Sequence, residues 1–101
     1  MRAALDPVIH APLRLQVCAT LAAADSVDFA TVREMLEVSE SVLSKHIKVL
    51  EDASYVAIRK ATSDGRQRTW LALTPLGRRA FSAHAAALRA LVQAADPAPE
   101  A

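Results

Sequence analysis

Between Ser39 and Leu50 the chain reads S-E-S-V-L-S-K-H-I-K-V-L. Leu43, Ile47 and Leu50 recur at helical spacing and form an apolar stripe. The opposite face carries Ser41, Ser44, Lys45 and Lys48. Short hydroxyls and long cations on one helical face suit base edges and phosphates in the major groove of a duplex. A second basic group, Asp64-Gly65-Arg66-Gln67-Arg68, falls at the tip of an expected hairpin. Both features suit recognition rather than bond making. Ser44 and His46 lie two apart on a helix and do not face each other. No Ser-His-Asp order, phosphate loop or paired-carboxylate pattern is present, so an enzyme is not expected. His10, His46 and His84 lack a paired spacing such as His-x-x-His, so neither a metal site nor a cofactor is expected. The single Cys18 excludes an intrachain disulfide and a Cys-based cluster. It stands on an apolar helix and reads as core rather than as a redox sensor.

The elements that must carry these groups fit one domain of 101 residues. Apolar residues make up 52%, enough for a core, although much of that is alanine. Aromatics at 4% argue against a stacking platform for single strands. The net charge of +1 hides an asymmetry. Residues 1–43 carry three basic and six acidic side chains, whereas residues 44–89 carry nine and three. A localised positive block fits a polyanionic partner, and a solvated charged surface explains the charge alone equally well. No apolar run is long enough to span a membrane. The segment Met1–Pro7 lacks the apolar core of a signal peptide, so a cytoplasmic location is expected.

Residues 1–9 read as an arm in which Pro7 limits helix. A first helix is expected from Ala11 or Pro12, with Leu13, Val17 and Leu21 on a stripe widened by Leu15, Cys18 and Ala22. Asp25-Ser26 ends it. Val27–Phe29 reads as a short extended segment. A short helix follows over Ala30–Leu36, with Val32, Met35 and Leu36 inward. Glu37-Val38 makes a tight turn, and Ser39 caps a helix running from Glu40 to about Ala53. Tyr55–Ala61 and Arg68–Leu73 read as strands around a polar loop with an Asp-Gly turn signal. Trp70 is expected to pack beneath the hairpin. Thr74 as N-cap and Pro75 at the first position then start a helix reaching about Ala95. Residues 96–101 read as a tail, which leaves residues 10–95 as the ordered core. No internal repeat is visible.

The order helix, short strand, helix, recognition helix, two-stranded wing and C-terminal helix is that of the winged helix-turn-helix, mainly α with a small β-hairpin. The segment Ser44–Ala53, S-K-H-I-K-V-L-E-D-A, resembles the recognition helix of MarR-type and ArsR-type bacterial repressors. Asp64-Gly65-Arg66, followed by Leu73-Thr74-Pro75-Leu76-Gly77, resembles the MarR-type wing and the start of the helix after it. The chain is similar to the short stand-alone winged-helix regulators related to MarR over about Leu5 to Val92. The resemblance implies that Ser39, Ser41, Ser44, Lys45 and Lys48 meet DNA through the recognition helix, with His46 at its edge against a phosphate. It implies that Arg66 enters a minor groove, that Asp64 orients Arg66 or simply fixes the turn, and that Arg59, Lys60 and Arg68 meet backbone phosphates. The metal-binding cysteine pair of ArsR-type sensors is absent. The family's glycine after the recognition helix is Ser54 here.

The resemblance therefore implies a sequence-specific regulator of transcription that binds double-stranded DNA, acts as a repressor and works as a homodimer. Leu5, Val8 and Ile9 of the arm, with Leu88, Leu91 and Val92 of the last helix, are the candidates for the partner interface. The alternative, that this surface covers the domain's own core, stays open at this point. So does a winged-helix module that binds protein rather than DNA. A small-molecule effector is neither implied nor excluded.

Overall fold

A computed structural model describes residues 4–95. Asp6 accepts from the Val8 amide at 2.9 Å and Pro7 takes the first helical position, so a turn of helix, α1, runs Pro7–His10. Residues 7–10 are therefore not an extended arm. Proline has no amide hydrogen to lose at that position, and the carboxylate satisfies a free donor beside it. Helix α2 (Pro12–Ala22) follows, then the short strand β1 (Val27–Asp28) and helix α3 (Phe29–Leu36). The Asp28 carboxylate caps α3 through the Ala30 amide at 3.1 Å.

Helix α3 ends in a two-bond cap. Val38 N–H donates to the Arg33 carbonyl and Glu37 N–H to the Glu34 carbonyl, each at 3.3 Å. This is the Schellman pattern, and it leaves Glu37 left-handed at φ 54°. Ser39 then caps helix α4 (Glu40–Asp52) by accepting from the Val42 amide at 3.2 Å. Helix α4 ends as α3 does. Tyr55 N–H reaches the Leu50 carbonyl and Ser54 N–H the Glu51 carbonyl, both at 2.9 Å, with Ser54 at φ 65°.

A left-handed serine is strained by roughly 1 kcal/mol relative to glycine. Ser54→Gly is therefore expected to raise the melting temperature by about 4 °C or more. A thermal melt showing a lower melting temperature would contradict that assignment.

Strands β2 (Val56–Ser63) and β3 (Arg66–Leu73) pair antiparallel, from Val56 opposite Leu73 to Ser63 opposite Arg66. They are longer than their apolar centres indicate, because the loop shrinks to Asp64-Gly65. Both loop residues have positive φ, 53° and 75°, the backbone of a type I′ hairpin turn whose twist matches the strands. Strand β1 adds to the outer edge of β3, giving the order β1-β3-β2. Helix α5 (Pro75–Ala95) starts where expected: Thr74 Oγ1 accepts from the Gly77 amide at 2.9 Å.

Ile9, Val17, Cys18, Leu21, Val32, Leu43, Ile47, Leu50, Val56, Leu71 and Leu73 form one core. Met35, expected inward, stands 61% exposed, because Phe29, Val32 and Leu36 form the face that α3 turns to the core. Ile9 is fully enclosed by its own chain and Val8 packs against the same core, so α1 is built into the domain. The far end of α5 runs past the body, and the molecule measures 59 × 25 × 23 Å. The tail expected at residues 96–101 lies outside the described residues. Among the described residues no helix is long and apolar enough to cross a membrane.

Candidate nucleic-acid interface

The caps at Ser39 and Ser54 fix α4 so that Leu43, Ile47 and Leu50 are buried while Ser41, Ser44, Lys45 and Lys48 stay exposed. Ser39 spends its hydroxyl on the cap and also lies 3.4 Å from the Ser41 hydroxyl. Lys48 makes an exposed ion pair with Asp52 at 3.0 Å, one turn on. Such a pair is weak in water and is readily exchanged for a phosphate. Among the described residues Lys45, Arg59, Lys60 and Arg66 have no ion-pair partner.

A groove of about 560 Å³ separates α4 from the hairpin. Ser44 and Lys48 line it from the helix, Arg66 and Arg68 from the hairpin, and Ile47 and Ile58 from its apolar floor. Strand alternation sorts the hairpin cations. Lys60 lies on the face of Ile58, whereas Arg59, Arg66 and Arg68 lie on the other face, opposite Trp70, Ser63 and Ala61 in the register. Lys60 and Arg59 therefore point to different sides of the hairpin.

The structure bears on three of the expected roles. Arg68 is already engaged within the chain. Its Nη1 lies 2.8 Å from Asp28 Oδ2, and Asp28 is 9% exposed. Since Asp28 also caps α3, Arg68 ties the hairpin to the helix-turn-helix. His46 is held from within the chain. Arg14 Nη1 stands 3.2 Å from its Nδ1, so the ring accepts there and is neutral. Burial, then the charges of Arg14 and Lys45, hold its pKa below the ordinary histidine value. Asp64 forms no hydrogen bond with Arg66 among the described residues, and its left-handed backbone gives it the turn-fixing role.

The structure also gathers groups that local reading passed over. Asp6 Oδ2 accepts from the Tyr55 hydroxyl at 2.6 Å. Asp6 N–H donates to His84 Nδ1 at 2.9 Å. His84 Nε2 lies 3.4 Å from His10 Nδ1, although the two residues are 74 positions apart. Cys18 sits fully buried beneath this cluster, its thiol pushed up to about 11 chiefly by burial. An exposed, readily ionised thiol is what a redox sensor requires, and Cys18 is the opposite.

Helix α5 carries a second, apolar groove of about 490 Å³, lined by Leu15, Phe81, Ala85, Leu88 and Val92. Leu91 and Val92 are each 56% exposed, while Leu88 is half-buried.

Comparison with known proteins agrees with this geometry. A family profile described as a winged helix DNA-binding domain matches residues 13–92. The uncharacterized protein MJ0432 of Methanocaldococcus jannaschii is 28% identical over 74 residues, 73% of this chain and 80% of that protein. Among solved structures, the transcriptional regulator homologue protein from Pyrococcus horikoshii OT3 is 26% identical, with a TM-score of 0.84 over 89% of each chain. The YusO protein from Bacillus subtilis is 27% identical with a TM-score of 0.76, over 84% of this chain and 60% of that one.

Proposed function

Because the chain belongs to the winged helix DNA-binding domain family, we propose that it is a sequence-specific, duplex-DNA-binding regulator of transcription that works as a homodimer and represses where its site overlaps a promoter. The observation that carries this reading is the pair of basic surfaces on either side of one groove. Helix α4 offers Ser44, Lys45 and Lys48, and the hairpin tip offers Arg66. The helix would lie in the major groove, with Ser41, Ser44 and Lys45 towards base edges. Arg66 would reach the adjacent minor groove, where negative potential is concentrated. Arg59, Lys60 and Lys48 would meet phosphates, which position the protein without reading sequence.

The dimer follows from surface that the monomer leaves uncovered. Leu91 and Val92 project beside the apolar groove of α5. A two-fold copy would cover them and double the DNA contacts. Leu5 and Leu88 are half-buried and border this proposal. Ile9 drops out of it because it is fully enclosed.

Selection of random duplexes by the purified protein, with anisotropy on the enriched sequences at two salt concentrations, tests the reading. A palindromic site whose affinity falls steeply with salt is expected. Sedimentation at micromolar concentration is expected to show a dimer, and a monomer there would overturn that part. A winged-helix module that binds another protein is the second reading. It is favoured by Val42 and Val49, 41% and 39% exposed on one flank of α4. Binding without any preferred sequence would move the assignment there.

A further inference from the structure

Helix α1 is a four-residue turn joined by side chains to three other elements. To α5 it is joined by the bond from Asp6 N–H to His84 Nδ1. To the junction of α4 and β2 it is joined by Asp6 Oδ2 and the Tyr55 hydroxyl. To α2 and α4 it is joined by Arg14, which bridges the Val8 carbonyl and His46. The DNA-facing helix, the residue that precedes the wing and the proposed dimer helix are all tied to this one turn or its cap.

The His84 bond has a strict protonation requirement. An amide can donate only to an imidazole nitrogen that carries no proton. Nδ1 faces the Asp6 amide, so the ring is neutral with its proton on Nε2, directed at His10 Nδ1. The ring is 1% exposed, and its centroid lies 5.3 Å from that of His10. A second proton can enter only at Nδ1, where it would oppose the Asp6 N–H. The ring and α1 cannot then keep their present arrangement. The Asp6 oxygens are already engaged, Oδ1 with the Val8 amide and Oδ2 with the Tyr55 hydroxyl, so turning either towards the ring would disturb the start of α1 or the tie to Tyr55.

We propose that His84 is a proton-operated latch: neutral, it fastens α1 to α5 and, through Asp6 and Tyr55, to the base of the wing; protonated, it releases α1 and weakens DNA binding. The latch regulates the DNA-facing surface and so rests on the function proposed above. The titratable groups that act on it are His10 of α1 and Asp6, the cap of α1; Tyr55 from the α4–β2 junction and Cys18 from α2 stand beside Asp6, and Arg14 of α2 beside Cys18. Burial, then His10, hold the His84 pKa below its ordinary value, and Asp6 opposes them. The stability that this group contributes is complete above the ordinary histidine pKa and is lost as pH falls through the lower, folded value.

The test is DNA affinity on a selected duplex, at constant ionic strength, from pH about 7.5 down to about 5.5, a range that brackets histidine titration. The intact protein is expected to lose about tenfold in affinity over that range. His84→Gln keeps an acceptor for Asp6 and a donor for His10 without titrating, so its affinity is expected to stay level or to rise on acidification. His46 works in the opposite sense, because a proton there adds a cation beside DNA. An affinity of the intact protein that holds or rises on acidification, or an equal fall in His84→Gln, would overturn the latch. The Asp6 amide nitrogen and proton shifts of the unmodified protein, followed by NMR over the same range, report the bond itself. They are expected to titrate, and a static Asp6 resonance would overturn the latch independently. Absence of DNA binding at every pH would refute the proposed function instead, and the Asp6 resonance would still decide whether α1 is released.

Discussion

Gly77→Ala is expected to lower the stability of the protein by about 3 kcal/mol or more, the upper range for forcing atoms into a packed site. An alanine Cβ at that position would stand 2.1 Å from the Tyr55 carbonyl oxygen and 2.9 Å from its carbon. The obstacle is backbone, and each of its attachments is fixed. The Tyr55 carbonyl accepts from Thr74 N–H at 3.0 Å, and its N–H donates to Leu50 at 2.9 Å. Its hydroxyl is bonded to Asp6. Neither α5 nor the end of α4 can retreat without breaking one of these bonds. Gly65→Ala provides the contrast. Its Cβ would meet nothing within 4 Å, and the strain comes only from φ of 75°. About 1 kcal/mol is expected there. Urea unfolding of both variants would rank them, and a Gly77→Ala cost below that of Gly65→Ala would refute the close-approach argument.

Removing Lys45 and Arg66 together is expected to weaken binding to a selected duplex about a hundredfold, tenfold for each lost contact. The two side chains belong to different elements, so their effects should add. The loss of Lys45 should also change which sequence is preferred, as for a residue that faces base edges. Neither residue is paired among the described residues, and both are exposed, so the melting temperature should not move. Arg68→Ala should behave in the reverse way, because its loss strands the Asp28 carboxylate at the cap of α3. Fluorescence anisotropy beside a thermal melt separates the two classes. Unchanged affinity in the Lys45→Ala/Arg66→Ala double variant would remove the proposed interface.

Much of the fold was legible because its signals are local. Ser39, Thr74 with Pro75, and Asp64-Gly65 each act on backbone within three residues, and each appears where expected. The stripe of Leu43, Ile47 and Leu50 needed only helical geometry. The Asp6-Pro7 start of α1 was equally local. There the cap and first-position reading applies, rather than the reading of proline as a breaker. What stayed hidden depends on partners far along the chain. Arg68 and His46 look like DNA-facing cations until Asp28, 40 positions away, and Arg14, 32 away, are placed beside them. No spacing rule joins His10 to His84, because the turn of the whole fold brings them together. Met35 stands exposed because an eight-residue helix buries only a narrow strip.

The reach of α5 beyond the body has a hydrodynamic consequence. The radius of gyration is 15.7 Å, against about 13 Å for a spherical chain of this length. A body 59 Å long and 25 Å wide drags more solvent than its mass warrants. A lone copy will leave a gel-filtration column early and will pass for something heavier than its 10.8 kDa. Absolute mass, from light scattering or sedimentation equilibrium, is therefore the quantity by which to count copies of this chain in solution.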